Sequence, residues 1–218
     1  LELVITPYKS EEKITVEVIR ENIKIPNVPY HGMVNDHIGY IKLTNFTKNA
    51  GNEVKKAYHD LNNNNDLQGI IIDLRGNGGG LLHEAVNLCN LFVEKDQLIV
   101  STKGKLASKN YDHKTKMAPI DLEIPLAVLV DGASASASEI VAGAIQDLDR
   151  GVVVGQRTFG KGLVQNVIPL TYNTQAKITV AKYYIPSGRC IQAIDYFNKD
   201  SNGHSGKIPD SLISEFET

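Results

Sequence analysis

The sequence predicts an α/β fold with a largely parallel sheet, followed by a β-rich C-terminal third. Three observations predict it. Short apolar runs such as Ile70-Ile-Ile72 and Leu126-Ala-Val-Leu-Val130 alternate with stretches of helical period between residues 38 and 154. Strands apolar on both faces belong to parallel sheets covered by helices. After residue 162 the helical period gives way to β-rich patterning.

Residues 1–24 read as two strands, near 2–6 and 14–20, and Lys13-Ile-Thr-Val-Glu-Val-Ile19 alternates with period two. Residues 25–36, with Pro26 and Pro29, read as a connector. A strand is expected at 38–43. A helix follows near 49–62, where Ala50, Val54, Ala57, Tyr58 and Leu61 share one face and the asparagine run 62–65 ends it. Next come a strand at 69–74, a glycine loop at 76–80, a helix at 81–92 and a strand at 97–101. Residues 103–120 read as polar and irregular. A strand at 125–130, a helix from about Ser136 to Leu148 and a strand at 152–154 complete the alternation. Strands are then expected at 163–170, 176–184 and 190–194, and a loose polar tail over 198–218.

The length suits one large domain with its own core. Hydrophobic residues make up 42%, charged residues 22%, and the net charge is −2 with both signs interspersed. That balance argues against a nucleic-acid or membrane-surface partner, which favours a basic stripe. No run reaches the roughly 18 apolar residues of a spanning helix. Two cysteines, Cys89 and Cys190, do not make a disulfide framework, and Cys89 falls in a helical apolar pattern that suits a buried, inert thiol. The chain has no signal segment, opens directly in a strand-like run and reads as a fragment of a longer protein.

Three turns carry the candidate chemistry. The first, Leu74-Arg-Gly-Asn-Gly-Gly-Gly-Leu-Leu82, joins a strand to a helix. Its N–H groups suit an anion or a carbonyl oxygen gaining charge, and equally a plain tight connection. It lacks the G-x-G-x-x-G spacing of a dinucleotide-binding turn. The second, Asp131-Gly-Ala-Ser-Ala-Ser-Ala-Ser-Glu-Ile140, sets serines at the C-terminal edge of a buried strand, where α/β sheets bind ligands. Ser136-Ala-Ser-Glu139 also fits a capping box, which needs no catalytic role. The third, Gly155-Gln-Arg-Thr-Phe-Gly-Lys-Gly-Leu-Val-Gln165, imitates a phosphate-binding loop. Gly162 stands where that loop needs serine or threonine, and the following residues read as a strand where it needs a helix.

Taken together, the three turns resemble the C-terminal processing peptidases, also called tail-specific proteases. The resemblance runs through Leu74-Arg-Gly-Asn-Gly-Gly-Gly80, the segment 132–143, Thr158-Phe-Gly-Lys-Gly-Leu-Val-Gln165 and Tyr184-Ile-Pro-Ser-Gly-Arg-Cys-Ile-Gln192, and covers about residues 15 to 216. It implies an α/β fold with a crotonase/ClpP-like parallel-sheet core, and an endopeptidase that cuts proteins near their C-terminal tails without metal or other cofactor. It implies Ser136 as nucleophile, Lys161 as base and Gln165 as its assistant. The oxyanion hole is implied at Ala137 and at Gly79 or Gly80; this chain has Gly78 where the family often has proline. The resemblance further implies a PDZ domain, of which residues 1–24 would be the last strands, with 25–218 as the catalytic core. It implies peptide substrates held by their C-terminal segments, a periplasmic or envelope location, and room for a homo-oligomer.

The chemistry is consistent with that assignment. A serine hydroxyl attacks a peptide carbonyl once a base takes its proton. Free lysine has a pKa of about 10.4, and a working base needs about 7–8, a difference of about 4 kcal/mol that burial supplies. Lys161 is therefore expected to be buried beside Ser136, and the backbone to bend near Gly162 so that Gln165 reaches the amine. His83, at the start of a helix after the first turn, is the rival base among six histidines. A non-catalytic binding or scaffolding domain on the same fold is the rival function: it would keep the glycines for packing and the serine for capping.

Overall fold

The computed structural model describes residues 1–21, 23 and 25–208, except the side chains of Phe197 and Asn198. The chain forms, in order, β1 (Glu2–Ile5), β2 (Ile14–Glu17), β3 (Tyr30–Met33), β4 (Ile38–Lys42), α1 (Ala50–Asn64), β5 (Gly69–Asp73), α2 (Leu82–Phe92), β6 (Leu98–Lys103) and β7 (Tyr111–Lys114). There follow β8 (Leu126–Val130), α3 (Ala137–Asp147), β9 (Val152–Gly155), β10 (Leu163–Pro169), β11 (Gln175–Tyr184), β12 (Ile194–Lys199) and β13 (Ser205–Lys207).

The expected sheet is present as a five-stranded unit in the order β3-β4-β5-β8-β9. Strands β4, β5, β8 and β9 run parallel, and β3 closes one edge antiparallel to β4. Burial alternates along β4 and β8, so these strands have one fully buried face. On it Ile41, Ile70, Ile72, Leu126, Val128 and Val130 share a core with Val54, Leu88, Ile140 and Ile145 of the helices. Helix α2 packs between α1 and α3. Burying side chains of this size stabilises the fold by about 1.5–3 kcal/mol each. Cys89 lies in this core with no exposure, and burial pushes its thiol up to about 12, so it is inert. Neither cysteine is paired.

The β-rich additions form three further sheets: β10-β11-β6-β7, β12-β13 and β1-β2. The last matches the two strands expected before residue 24. Its residues are exposed on both faces.

Five expectations need correction. The connector 25–36 contains β3, and the stretch 103–120 contains β7. Both are edge strands bonded on one side only, so little apolar patterning marks them. Helix α1 runs on into the asparagine run as far as Asn64. The strand expected at 190–194 begins only at Ile194, as β12: Cys190 makes a lone bridge to Tyr184, and Gln192 and Ala193 turn instead to the Lys161 loop. Within the expected loose tail, 205–207 pairs as β13, and the part beyond 208 lies outside the described residues. Among the described residues no helix is long and apolar enough to cross a membrane.

Candidate active site

The first two turns stand side by side because parallel strands β5 and β8 are neighbours and both end there. Asn77, fully buried, stitches them together. Its side-chain amide donates to Leu43 O at 2.9 Å, and its carbonyl accepts Ala135 N at 3.0 Å and Ser138 Oγ at 2.9 Å. Ser134 Oγ donates to Leu74 O at 2.9 Å. Asp131 accepts the N–H groups of Gly76, Ala133 and Ser134, each at 3.0 Å. The Gly76 bond leads in holding its carboxyl below the usual range, with burial opposing.

Below the first turn lies Asp73, 1% exposed. It accepts Tyr40 Oη at 2.6 Å, Arg75 Nη2 at 2.8 Å and Lys42 Nζ at 3.1 Å. Burial alone would raise its pKa. The Arg75, Tyr40 and Lys42 contacts outweigh burial and hold it well below the carboxylate range.

This network separates three serines that the sequence leaves equivalent. Ser134 and Ser138 are fully buried and spend their hydroxyls on carbonyls of the first turn. Ser136 is partly exposed and its hydroxyl donates to no group among the described residues. It precedes α3 with φ 56° and ψ −111°, a conformation unfavourable for any residue but glycine. The surrounding bonds over-determine it, so the side chain is thrust out at the helix N-terminus.

Gly79 backs directly onto this turn with φ +94°. A methyl group there would lie 2.5 Å from Ala135 O and 2.9 Å from Ser136 Cβ, so only glycine fits. The Gly79 N–H is committed to Asn77 Oδ1 at 2.9 Å. Gly80 instead bridges Phe46, and the N–H groups of Gly80 and Ala137 have no acceptor among the described residues. Gly78 has open space around it.

The third turn is held to the second mainly by one carboxylate. Glu139, 4% exposed, accepts Ser136 N at 2.7 Å, which is its half of the expected capping box. It also accepts Gly160 N at 2.6 Å, Lys161 N at 2.8 Å and Thr158 Oγ1 at 2.8 Å. Phe159 N adds a bond to Ser134 O at 3.0 Å. Gly162 N donates to Gln192 Oε1 at 2.8 Å. As expected, a strand and not a helix follows the lysine.

The three turns are therefore brought together, but the lysine side chain is not where burial was expected. Lys161 is exposed, and no hydrogen bond joins it to Ser136 among the described residues. The anchoring acts on backbone amides 160–162, not on the side chain. Nothing described covers the outer side of the loop, and β10 beyond it is mostly exposed. An ammonium group left open to water stays there, because desolvation is costly. Gln165 is exposed too, and the backbone irregularity lies between Val164 and Gln165, two residues past Gly162. His83 points to solvent with its ring 66% exposed and its Nε2 3.6 Å from Glu84, away from Ser136. Sequence reasoning read Glu139 only as a cap and missed Asn77 and Gln192. The signal for Glu139 was present: a capping acid buried between two candidate turns can serve both.

A cleft of about 790 Å³ opens behind α3, walled by Glu139, Thr158, Gly160, Arg189 and Gln192, but by neither Ser136 nor Lys161.

Comparison with known proteins places the chain in a family. Residues 37–200 match the model of peptidase family S41. The chain is 38% identical over 195 residues to a carboxy-terminal-processing protease of Bartonella bacilliformis, covering 88% of this chain and 44% of that protein. It is 34% identical over 178 residues to the carboxy-terminal processing protease CtpA of Bacillus subtilis, covering 82% of this chain and 37% of that one. The solved structure of a photosystem II D1 C-terminal processing protease superposes with a TM-score of 0.68 at 30% identity, over 88% of this chain and 52% of that chain. The chain thus spans less than half the length of these two curated relatives. A match through all three turns, over most of the chain and in both sequence and fold, makes this chain a member of peptidase family S41.

Proposed function

We propose that the protein carrying this chain is a serine endopeptidase in which Ser136 attacks the scissile carbonyl and Lys161 takes the hydroxyl proton. The acyl-enzyme forms as the amine leaves with that proton, and water then releases the acid. The N–H groups of Gly80 and Ala137 would receive the oxyanion, with the N-terminus of α3 adding its dipole. Between the two glycines first considered, Gly80 is favoured because the Gly79 N–H is already bonded to Asn77. Gln165 is assigned to orienting the amine. The observation that carries the reading is Ser136 itself: one of three alternate serines, strained to φ 56°, its oxygen facing the Glu139 amide in the capping box while its hydroxyl proton is given to no described group, beside the two N–H groups of Gly80 and Ala137.

The core is proposed to be of the crotonase/ClpP type, and residues 1–24 to be strands of a tail-capturing PDZ domain. The exposed apolar side chains of β1 and β2 support the second point, since an isolated hairpin of this kind needs a partner. Substrates would then be proteins gripped by their C-terminal segments, and the site of action a periplasm or cell envelope.

The exposure of Lys161 favours one other reading, a non-catalytic domain on the same fold. Cleavage of an unstructured protein tail by the full-length protein decides between them. Ser136→Ala and Lys161→Ala should each lower kcat/KM by about a thousandfold or more. Equal cleavage by both variants and the wild type would overturn the peptidase reading.

A further inference from the structure

Three consecutive amides, of Gly160, Lys161 and Gly162, donate to just two buried side chains. Glu139 takes the first two at 2.6 and 2.8 Å, and Gln192 takes the third at 2.8 Å. Gln192 is 4% exposed, and both ends of its amide are bonded: Nε2 donates to Ile194 O at 2.9 Å, which fixes the oxygen toward Gly162. The neighbouring Ala193 N donates to Gly160 O at 3.0 Å. Both glycines flanking the lysine also press on this segment. A methyl on Gly162 would lie 2.5 Å from Gln192 N, and one on Gly160 would collide with Ala193 Cβ. The Lys161 backbone is therefore gripped from two sides, by α3 and by residues 192–193.

We infer that Gln192 is a positioning residue for Lys161. Glu139 sets how far the lysine loop stands from the nucleophile's helix. Gln192 sets the direction in which the chain leaves the loop for β10, and with it the aim of the lysine side chain. This rests on the assignment of Lys161 as the base. An apolar side chain at 192 would leave the Gly162 N–H buried and unpaired, so the turn would relax and the amine would lose its aim. Misplacement of about 1 Å costs about a hundredfold in rate.

The test uses the full-length protein and an unstructured tail substrate, with kcat and KM measured separately. Gln192→Met keeps the length and removes the amide. It should lower kcat between about tenfold and a hundredfold with KM within about threefold of wild type. Gln192→Glu keeps an oxygen facing Gly162 but gives up the Nε2 bond to Ile194 O, so it should recover only part of that loss. Amide hydrogen exchange over residues 160–163 should quicken in the methionine variant and stay near wild type in the glutamate variant. Should the methionine variant fold poorly, Gln192→Asn, which withdraws the oxygen by one methylene, reads the same effect. Wild-type kcat in Gln192→Met, or wild-type amide exchange over residues 160–163 in that variant, would overturn the inference. Ser136→Ala and Lys161→Ala run beside them: full cleavage by these would instead remove the dyad on which it rests.

Discussion

The Ser136 half of the proposed site and its Lys161 half are held in different ways. Around Ser136, the side chains of Ser134, Ser138 and Asp131 bond the first two turns to each other, and the Asn77 side chain ties the first turn back to Leu43 over a closed core. Around Lys161 only the backbone is held, by Glu139 and Gln192, while the lysine and Gln165 side chains stand in solvent. The first half is a product of the parallel sheet and is complete within this chain. The second is a pre-aimed loop whose side chains have no walls among the described residues.

Among the described residues Glu139 bonds both the Ser136 amide and the lysine loop, so its loss should have the largest effect. Glu139→Ala leaves four donors without their acceptor and should cost about 3 kcal/mol of stability by denaturant unfolding of the full-length protein. Its residual folded fraction should cleave at least about a hundredfold more slowly. A variant with intact stability and activity would break the comparison, because the halves would then not be coupled through this carboxylate.

A smaller effect belongs to the Ser136 half alone. Asp73→Asn should cost about 2 kcal/mol, less than a fully buried pair because Arg75 is half exposed. The acid response follows with a definite sign. The folded state holds Asp73 below its unfolded value of about 3.9, so the unfolded chain takes up the proton first as pH falls. The contribution is complete above about pH 5 and drains away below about pH 4. Melting temperature should fall over that range, and fall less steeply in Asp73→Asn. Parallel acid profiles for the two proteins would place the acid sensitivity elsewhere.

The smallest expected change is a gain. A methyl group on Gly78 would meet no atom within 4 Å, and this glycine does not adopt a positive φ, unlike Gly79 beside it. Gly78→Ala should stabilise by about 0.4–1 kcal/mol through the unfolded state and leave cleavage unchanged. A loss of activity would mean that the first turn must flex, and would sharpen the contrast with the rigid Ser136 turn.

Much of this was legible from the residues alone. Apolar strands β5 and β8 and helices α1, α2 and α3 announced themselves because burial imposes period on their residues. The edge strands β3 and β7 did not, because one-sided pairing asks little of side chains. The three turns were legible as glycine and serine clusters, and their motifs identified the family. Which serine keeps its proton undonated and what grips the lysine loop were not, since those answers depend on partners 21 to 61 residues away.

The sequence by itself determined the parallel core, the order of the turns and the residue types gathered at the sheet's C-terminal edge, because local period and turn chemistry are encoded residue by residue. Only the tertiary structure decided that Ser136 is the strained, available hydroxyl, that Glu139 and Gln192 carry the loop, and that Lys161 lies exposed. Those are outcomes of long-range hydrogen bonding and burial, which a neighbour along the chain cannot report.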